Sequence, residues 1–366
     1  MEIFRNMRVL HIALDTTMGG IEAFLLNVYR LIDREKVQFD FIEYGEYERD
    51  FNDKFTQLGA NIYKLPDRKK NPILAQKKLE EILKAGNYHV VHIHKNSLAD
   101  ASSIKVCEKL EISKIIVHSH NASRDSKLIV LLHKINQRRL RLDRVYKFSC
   151  STKAAEWMFG SAKNVTIINN GIDTRKFDYN PATREKVRSA LNLKNAVVLG
   201  CVGRMAEQKN PLFMLDILKQ LADDNIRLLW VGDGALRAEM ERKTKEYALE
   251  RRVIFTGNVR NPEEYYQAMD IFVMPSLYEG FPIAAVEAQC SGLPVVLSTR
   301  ITEEADITGC VEWVDGDDIS NWVNAILKAQ EKTDARRSNT IELQRKGYDM
   351  KTTVEFLQEF YLNENE

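Results

Sequence analysis

Short apolar runs rich in valine, isoleucine and phenylalanine alternate with helix-like stretches along nearly the whole chain. Strands of that kind, each followed by a helix, are the signature of parallel sheets with both faces covered, because neighbouring parallel strands need a long crossover between them. In the first half the strand-like runs are Arg8–Ala13, Val37–Tyr44, Asn61–Leu65, His89–His94, Lys114–His118, Val145–Ser149 and Val165–Asn169. Helical spacing between them is clearest in Ile21–Ile32, where Phe24, Leu25, Val28, Leu31 and Ile32 share one face. A second series follows: Ala196–Val202, Arg227–Val231, Val253–Phe255, Ile271–Met274, Val295–Leu297 and Val311–Val314. Past Lys332 only helical pattern remains, ending in Thr353–Leu362. No internal repeat is visible.

The two series are separated by Asn169-Asn170-Gly171-Ile172-Asp173 and a polar stretch containing Asn180-Pro181. Asn-Gly is turn chemistry and marks a hinge. A chain of 366 residues exceeds what one hydrophobic core usually serves. We therefore expect an α/β protein of two facing, doubly wound, Rossmann-like domains with a cleft between them: residues 1–172, then 173–349, with a last helix over 350–366 packing back on the first. Open parallel sheets hold ligands outside the carboxyl ends of their strands.

Charge is nearly balanced, Lys+Arg 53 against Asp+Glu 52, which argues against nucleic acid as a partner while leaving a local basic patch open. The five cysteines are scattered and form no C-x-x-C pair, so neither a disulfide framework nor a zinc site is expected, and Cys150 and Cys201 read as small core residues. The start, MEIFRNMRVLHIALD, leads into a strand-like run rather than a signal peptide, and no apolar stretch approaches the roughly 20 residues that span a bilayer. The expected location is the cytoplasm, either free or peripheral on the inner face of the cell membrane.

The sharpest local signal is Pro275-Ser276-Leu277-Tyr278-Glu279-Gly280-Phe281-Pro282-Ile283-Ala284-Ala285-Val286-Glu287-Ala288, directly after the run Ile271–Met274. Proline favours the first helical position, so a helix should start near Pro282 or Ile283. The N–H groups of Gly280, Phe281 and Ile283 would then face a phosphate at the helix N-terminus. Glu279 precedes that terminus and Glu287 lies about a turn inside it, where it can accept from ribose hydroxyls while Glu279 faces whatever the phosphate carries. Taken singly, each glutamate also fits a solvated helix position. Ala284, Ala285 and Val286 weigh against that, since an unpaired carboxylate on a buried helix is costly.

The second cluster is Gly200-Cys201-Val202-Gly203-Arg204-Met205-Ala206-Glu207-Gln208-Lys209-Asn210-Pro211. An arginine fork with a lysine point charge, in a loop between strand and helix, can bind a diphosphate and stabilise it as a leaving group. Either cation alone would read as an ordinary surface charge.

Together these stretches resemble glycosyltransferase family 4, the retaining group with the GT-B fold. The likeness rests on Glu279 and Glu287 in P-S-x-x-E-G-F-P-x-x-x-x-E-A, on Gly203-Arg204 with Lys209, and on Val231-Gly232-Asp233-Gly234. Asn170-Gly171-Ile172-Asp173 and Gly292-Leu293-Pro294-Val295-Val296 complete it. The resemblance implies that Arg204 and Lys209 bind the donor diphosphate, Glu287 the ribose and Glu279 the sugar. It implies that the loops holding Gly232, Asp233, Asn258 and Val259 flank the nucleobase, and that Gly19 and Gly20 let backbone approach the diphosphate. A histidine after the run Lys114–Val117 belongs on the acceptor side: His120 by its place further past the strand, with His118 in reserve. His92 reads as structural and His94 as a strand-end candidate; alternating along one strand, one of the two should face the buried side.

Met18-Gly19-Gly20-Ile21-Glu22-Ala23-Phe24, Phe39-Asp40-Phe41-Ile42 and His118-Ser119-His120-Asn121 resemble the capsule and exopolysaccharide branch. That implies transfer from a nucleoside-diphosphate sugar, a UDP-sugar first and GDP-mannose second, to a glycan on a polyprenyl diphosphate, with retained anomeric configuration and no metal or cofactor. In Ser123–Lys147, Leu128, Ile129, Val130, Leu131, Leu132 and Ile135 precede Lys134, Arg138, Arg139, Arg141 and Arg144. Two readings stand side by side here, a basic amphipathic helix on an anionic membrane and a core helix with a solvated basic face. Three rival functions remain at this stage: an epimerase of the same fold, a silent scaffold of a polysaccharide assembly complex, and a metal-dependent enzyme using Asp315-Gly316-Asp317. The last stretch reads more simply as a turn followed by a cap.

Overall fold

The computed structural model describes residues 7–14, 20–45, 52–120, 127–279, 281–333 and 336–363. The chain divides into two compact units: one runs to Asn170 and resumes at Met350, the other is Gly171–Asp349.

The strands of the first unit are β1 (Met7–Leu14), β2 (Val37–Tyr44), β3 (Asn61–Leu65), β4 (Val90–Lys95), β5 (Lys114–Ser119), β6 (Tyr146–Ser149) and β7 (Thr166–Ile167). They form one parallel sheet in the order β3-β2-β1-β4-β5-β6-β7. The second unit contains β8 (Val197–Val202), β9 (Ile226–Val231), β10 (Val253–Phe255), β11 (Ile271–Met274), β12 (Val295–Ser298) and β13 (Val311–Val314), in the order β10-β9-β8-β11-β12-β13. In each sheet the order reverses beside its first strand, between β1 and β4 and between β8 and β11. Crossovers from those neighbours leave in opposite directions, which opens a crevice at their carboxyl ends.

The central strands are buried on both faces, as parallel sheets require: every residue of β4, β5, β11 and β12 is buried. Proline at the first turn starts the helices Pro72–Gly86, Pro181–Ala190, Pro211–Gln220 and Pro262–Ala268. Its missing N–H belongs to a position that has no intrahelical acceptor in any case. Ser151, Asn180 and Asp318 cap helices by accepting from the N–H of Ala154, Thr183 and Ser320. The run expected over Val165–Asn169 is a strand at Thr166 and Ile167, at the sheet edge, and the Ile168 N–H adds a bond to the Ser149 carbonyl at 2.8 Å.

The last helix, Met350–Leu362, packs on the first unit. Val354, Leu357 and Tyr361 share a core with Val9, Phe39 and Phe148. Lys114 fastens it by donating from Nζ to the Phe360 carbonyl at 2.7 Å. In the second unit, Arg188 is buried and donates to the Ala268 carbonyl and to Asp270, whose carboxylate also accepts from the Val198 N–H. This ties helix Pro181–Ala190 to the edges of β8 and β11, the two strands that flank the crevice.

Candidate active site

Three loops meet at the carboxyl end of the second sheet, and glycine lets them close up. Gly232 sits at φ +133°, and a Cβ there would lie 2.2 Å from the Gly203 carbonyl oxygen. A Cβ on Gly234 would lie 2.5 Å from the Met205 oxygen. The loops after β8 and β9 are then joined by Met205 N–H to the Asp233 carbonyl (2.9 Å) and Leu236 N–H to the Met205 carbonyl (3.0 Å), and Gly232 N–H reaches the Gly257 carbonyl beyond β10 at 3.0 Å. They frame an open cavity of about 590 Å³ lined by Gly203, Arg204, Gly232, Asp233, Asn258 and Val259, among others. Arg204 is exposed, and its guanidinium has no hydrogen-bond or ion-pair partner among the described residues.

Lys209 closes the short 3-10 turn Glu207–Lys209 and lies against Gly203, where a Cβ would approach its Cε to 3.1 Å. Its ammonium pairs with Glu279 at 2.7 Å, and the two side chains are 19% and 9% exposed. Gln208 locks the two loops together, its carbonyl accepting from Leu277 N–H (2.9 Å) and its amide donating to the Tyr278 carbonyl (3.1 Å). The loops after β8 and β11, the strands at the switch point, thus bring Lys209 and Glu279 into contact across 70 positions of sequence.

The next helix is Ile283–Cys290, with Pro282 as the residue before it rather than its first. One expectation is corrected here: the Ile283 N–H is turned back onto the Phe281 carbonyl at 3.1 Å and is not free for a phosphate. A turn whose first two residues are Phe and Pro folds tightly enough to satisfy that donor locally. Gly280, like Gly19 in the other unit, lies outside the described residues. Gly20 opens the helix Gly20–Leu31, and a Cβ there would meet nothing within 4 Å among the described residues, so no contact with them demands glycine at that position.

Glu287 accepts from the buried Tyr266 hydroxyl at 2.6 Å. Burial pushes its carboxyl up to about 7, against the pull of the Tyr266 hydrogen bond and of the Lys209 charge. Tyr266 was not foreseen. Its place on helix Pro262–Ala268 gives no sequence signal of a carboxylate 21 positions on.

In the first unit five imidazoles gather at the carboxyl ends of β1, β4 and β5. His92 and His94 do not divide between faces as expected. They are two apart on a strand, so they point the same way, and both are buried. His11 faces them from β1, with Nδ1 3.0 Å from His94 Nε2, and His94 Nδ1 lies 2.8 Å from His120 Nε2. Separately, His92 Nε2 lies 3.2 Å from His118 Nδ1, and His92 Nδ1 2.7 Å from the Tyr361 hydroxyl. Burial holds His11 and His120 down to about 3 and the other three well below the usual histidine range. Of the five, His120 alone is partly exposed. Nitrogens of His11, His92 and His94, and of His94, His118 and His120, lie within 4.8 Å of one another. The nitrogens that face each other are engaged in the bonds just given.

The segment Ser123–Lys147 forms the helix Lys127–Arg139, with residues up to 126 outside the described set. The core-helix reading is corrected: His133 is its one buried residue, while Leu128, Leu131 and Leu132 are 64%, 56% and 41% exposed. His133 faces the interior because its ring stacks on Trp157 and takes the Leu98 N–H. The aspartates of Asp315-Gly316-Asp317 are occupied by neighbours. Thr299 donates to Asp315, Arg300 grips both oxygens of Asp317, and the next residue, Asp318, caps a helix. Among the described residues no helix is long and apolar enough to cross a membrane.

Comparison with known proteins bears on both units. A family described as "Glycosyltransferase Family 4" matches residues 18–176, and one described as "Glycosyl transferases group 1" matches residues 196–332. A Bacillus subtilis protein named as the glycosyltransferase EpsF is 30% identical over 97% of this chain and 96% of its own length. The UDP-Gal:α-D-GlcNAc-diphosphoundecaprenol α-1,3-galactosyltransferase of Escherichia coli is 24% identical over 88% of each chain. Among solved structures, HepE of Anabaena in complex with UDP superimposes with a TM-score of 0.80 at 18% identity, covering 97% of this chain and 99% of that one.

Proposed function

We propose the following reaction for this chain, which belongs to glycosyltransferase family 4. It moves a hexose from a nucleoside-diphosphate sugar to a hydroxyl of a lipid-linked glycan, in the synthesis of a capsule or exopolysaccharide. The donor is a UDP-sugar, with GDP-mannose second; anomeric configuration is retained and no metal is required. The observation that carries the reading is the cation arrangement at the second sheet's switch point: an Arg204 unpartnered among the described residues on the cavity wall, next to a Lys209 held by Glu279.

Each residue has a task set by its surroundings. Arg204 is free to take phosphate oxygens as a fork, and Lys209 shares its charge between Glu279 and the diphosphate as negative charge develops on the leaving group. Glu279, reached by no other cation among the described residues, fixes that ammonium and keeps a carboxylate edge for sugar hydroxyls. Glu287 has one oxygen on Tyr266 and offers the other to the ribose. Gly232, Asp233, Asn258 and Val259 flank the base. On the acceptor side stands His120, and the exposed leucines with Arg138, Arg139, Arg141 and Arg144 seat the first unit on an anionic membrane where a lipid-linked acceptor resides. The name of a capsular polysaccharide biosynthesis glycosyltransferase of Staphylococcus aureus, 25% identical over 82% of this chain, supports the pathway, the diphosphoundecaprenol galactosyltransferase's name supports the acceptor, and the UDP in HepE and in the galactosyltransferase's name supports the nucleotide.

The test is a panel of nucleotide sugars scored by thermal shift, then turnover on a polyprenyl-diphosphate glycan with and without EDTA. A ligand that binds only the native state raises apparent stability by mass action. We expect a UDP-sugar to stabilise the protein and be turned over in EDTA. No stabilisation by any nucleotide sugar would refute donor binding. Loss of turnover in EDTA, rescued by Mn²⁺, would refute metal independence.

A further inference from the structure

The first unit contains a chain of hydrogen bonds that ends at the proposed acceptor-side histidine. It runs from His11 Nδ1 to His94 Nε2 at 3.0 Å, and from His94 Nδ1 to His120 Nε2 at 2.8 Å. The inner end is sealed: His11 Nε2 is buried with no hydrogen-bond partner among the described residues. The outer end is the partly exposed ring of His120, whose Nε2 is already spent on His94.

We propose that His11 and His94 are positioning residues that hold His120 as its Nδ1–H tautomer, so that His120 meets the reacting groups as a hydrogen-bond donor and not as a base. The proposal rests on the glycosyl-transfer reading above.

The reasoning uses the inventory of a neutral imidazole, one donor and one acceptor. Burial keeps all three rings neutral. Two neighbouring rings can bond only if one donates and the other accepts, so the chain has two states, every proton pointing outward or every proton pointing inward. In the inward state His120 donates to His94, His94 donates to His11, and a bare His11 Nε2–H is left in the core. In the outward state His11 donates to His94 and His94 to His120. The group left in the core is then a lone pair, and His120 carries its proton on Nδ1. Orphaned buried N–H groups are rarer than under-satisfied acceptors, which favours the outward state. The walls around His11 agree with this, since Phe39 and Phe41 pack on its ring and offer no oxygen to an N–H. Asp40, whose charge reaches His11, is held by Arg8, Tyr88 and the Asn61 N–H. A donor at His120 Nδ1 suits an oxygen that carries or gains negative charge.

The experiment combines ring ¹⁵N spectra of histidine-labelled protein with steady-state transfer, for wild type, His94→Leu, His94→Asn and His11→Phe. His120 is assigned with His120→Ala. Asparagine places an amide donor where His94 Nδ1 stands, whereas leucine keeps bulk and removes the donor. We expect His120 protonated on Nδ1 in the wild type and in His94→Asn. In His94→Leu it should shift toward the Nε2–H form, with kcat lowered on the order of 10²-fold and donor KM little changed. His11→Phe, which keeps an aromatic ring against Phe39 and Phe41, should loosen the tautomer in the same direction and serves if His94→Leu does not fold. A wild-type His120 protonated on Nε2 would overturn the proposal. So would equal kcat in His94→Leu and His94→Asn, or full transfer by His120→Ala. The spectra need no substrate, so the chain's direction is tested even if the assigned reaction fails.

Discussion

Replacing Tyr266 with phenylalanine tests how the second unit holds its ribose carboxylate. The hydroxyl donates to Glu287 at 2.6 Å, and more weakly to the Ala284 carbonyl at 3.3 Å. A hydrogen bond to a charged group is worth about 1.5–3 kcal/mol, and one pKa unit is about 1.4 kcal/mol. Losing the donor should therefore lift Glu287 from about 7 by roughly one to two units. At neutral pH the wild-type carboxyl is about half ionised, and the variant's would be ionised to only ~1–10%. If the ribose needs the carboxylate, donor affinity should fall by roughly 5–50-fold at pH 7 and recover at higher pH. The direction is fixed: affinity rises with pH through the Glu287 transition in both proteins, and the variant's rise lies at higher pH. Calorimetric titration with a nucleotide sugar over pH 6–8.5 reads this, because neither the esterified diphosphate nor the uracil N3–H of a UDP-sugar titrates appreciably in that range. Superimposable pH profiles for Tyr266→Phe and wild type would refute the reasoning, as would an affinity loss that no rise in pH restores.

Glu287→Gln should stabilise the unliganded protein above neutral pH. The native carboxyl stays protonated up to about 7 while the unfolded one ionises near 4.5, so its destabilising effect grows across that interval to at most about 3 kcal/mol; a Tm gain that does not grow from pH 4.5 to 7.5 would contradict this. Glu279→Gln should leave free UDP affinity nearly unchanged and lower kcat, whereas Glu287→Ala should weaken UDP itself by roughly 1.5–3 kcal/mol; equal losses of UDP affinity in both would end the division of labour. Gly232→Ala forces a Cβ to within 2.2 Å of the Gly203 oxygen at φ +133°. It should cost about 1–3 kcal/mol or more in chemical denaturation, and a neutral result would mean that the two loops are not closed as described. Replacing Arg138, Arg139 and Arg141 with glutamine should weaken salt-sensitive binding to anionic vesicles without changing donor hydrolysis; unaltered vesicle binding would leave the basic face merely solvated.

The sequence determined what local physics controls. Apolar runs such as Ile271–Met274 and Val295–Leu297 are short, β-rich and buried in the structure on both faces, which only a covered parallel sheet provides. Asn-Gly chemistry at Asn170-Gly171 falls where the two compact units part. The helix that carries Glu287 starts at Ile283, after the strand Ile271–Met274, where proline spacing puts it.

The tertiary structure decided what depends on partners far along the chain. Lys209 meets Glu279 because β8 and β11 are neighbours, and Tyr266 meets Glu287 because the helices before and after β11 pack together, adjacencies that no local pattern encodes. His11 lies 83 positions from His94, and His92 lies 269 from Tyr361, so the imidazole cluster exists only once the sheet order and the returning C-terminal helix are set. The helix Lys127–Arg139 is the sharpest case. Its spacing shows which leucines share a face, but burial is settled by what stands opposite, and His133 found Trp157 and Leu98 while Leu128, Leu131 and Leu132 found solvent. Side-chain periodicity is intrinsic to a segment, whereas the identity of the surface it meets belongs to the assembled chain.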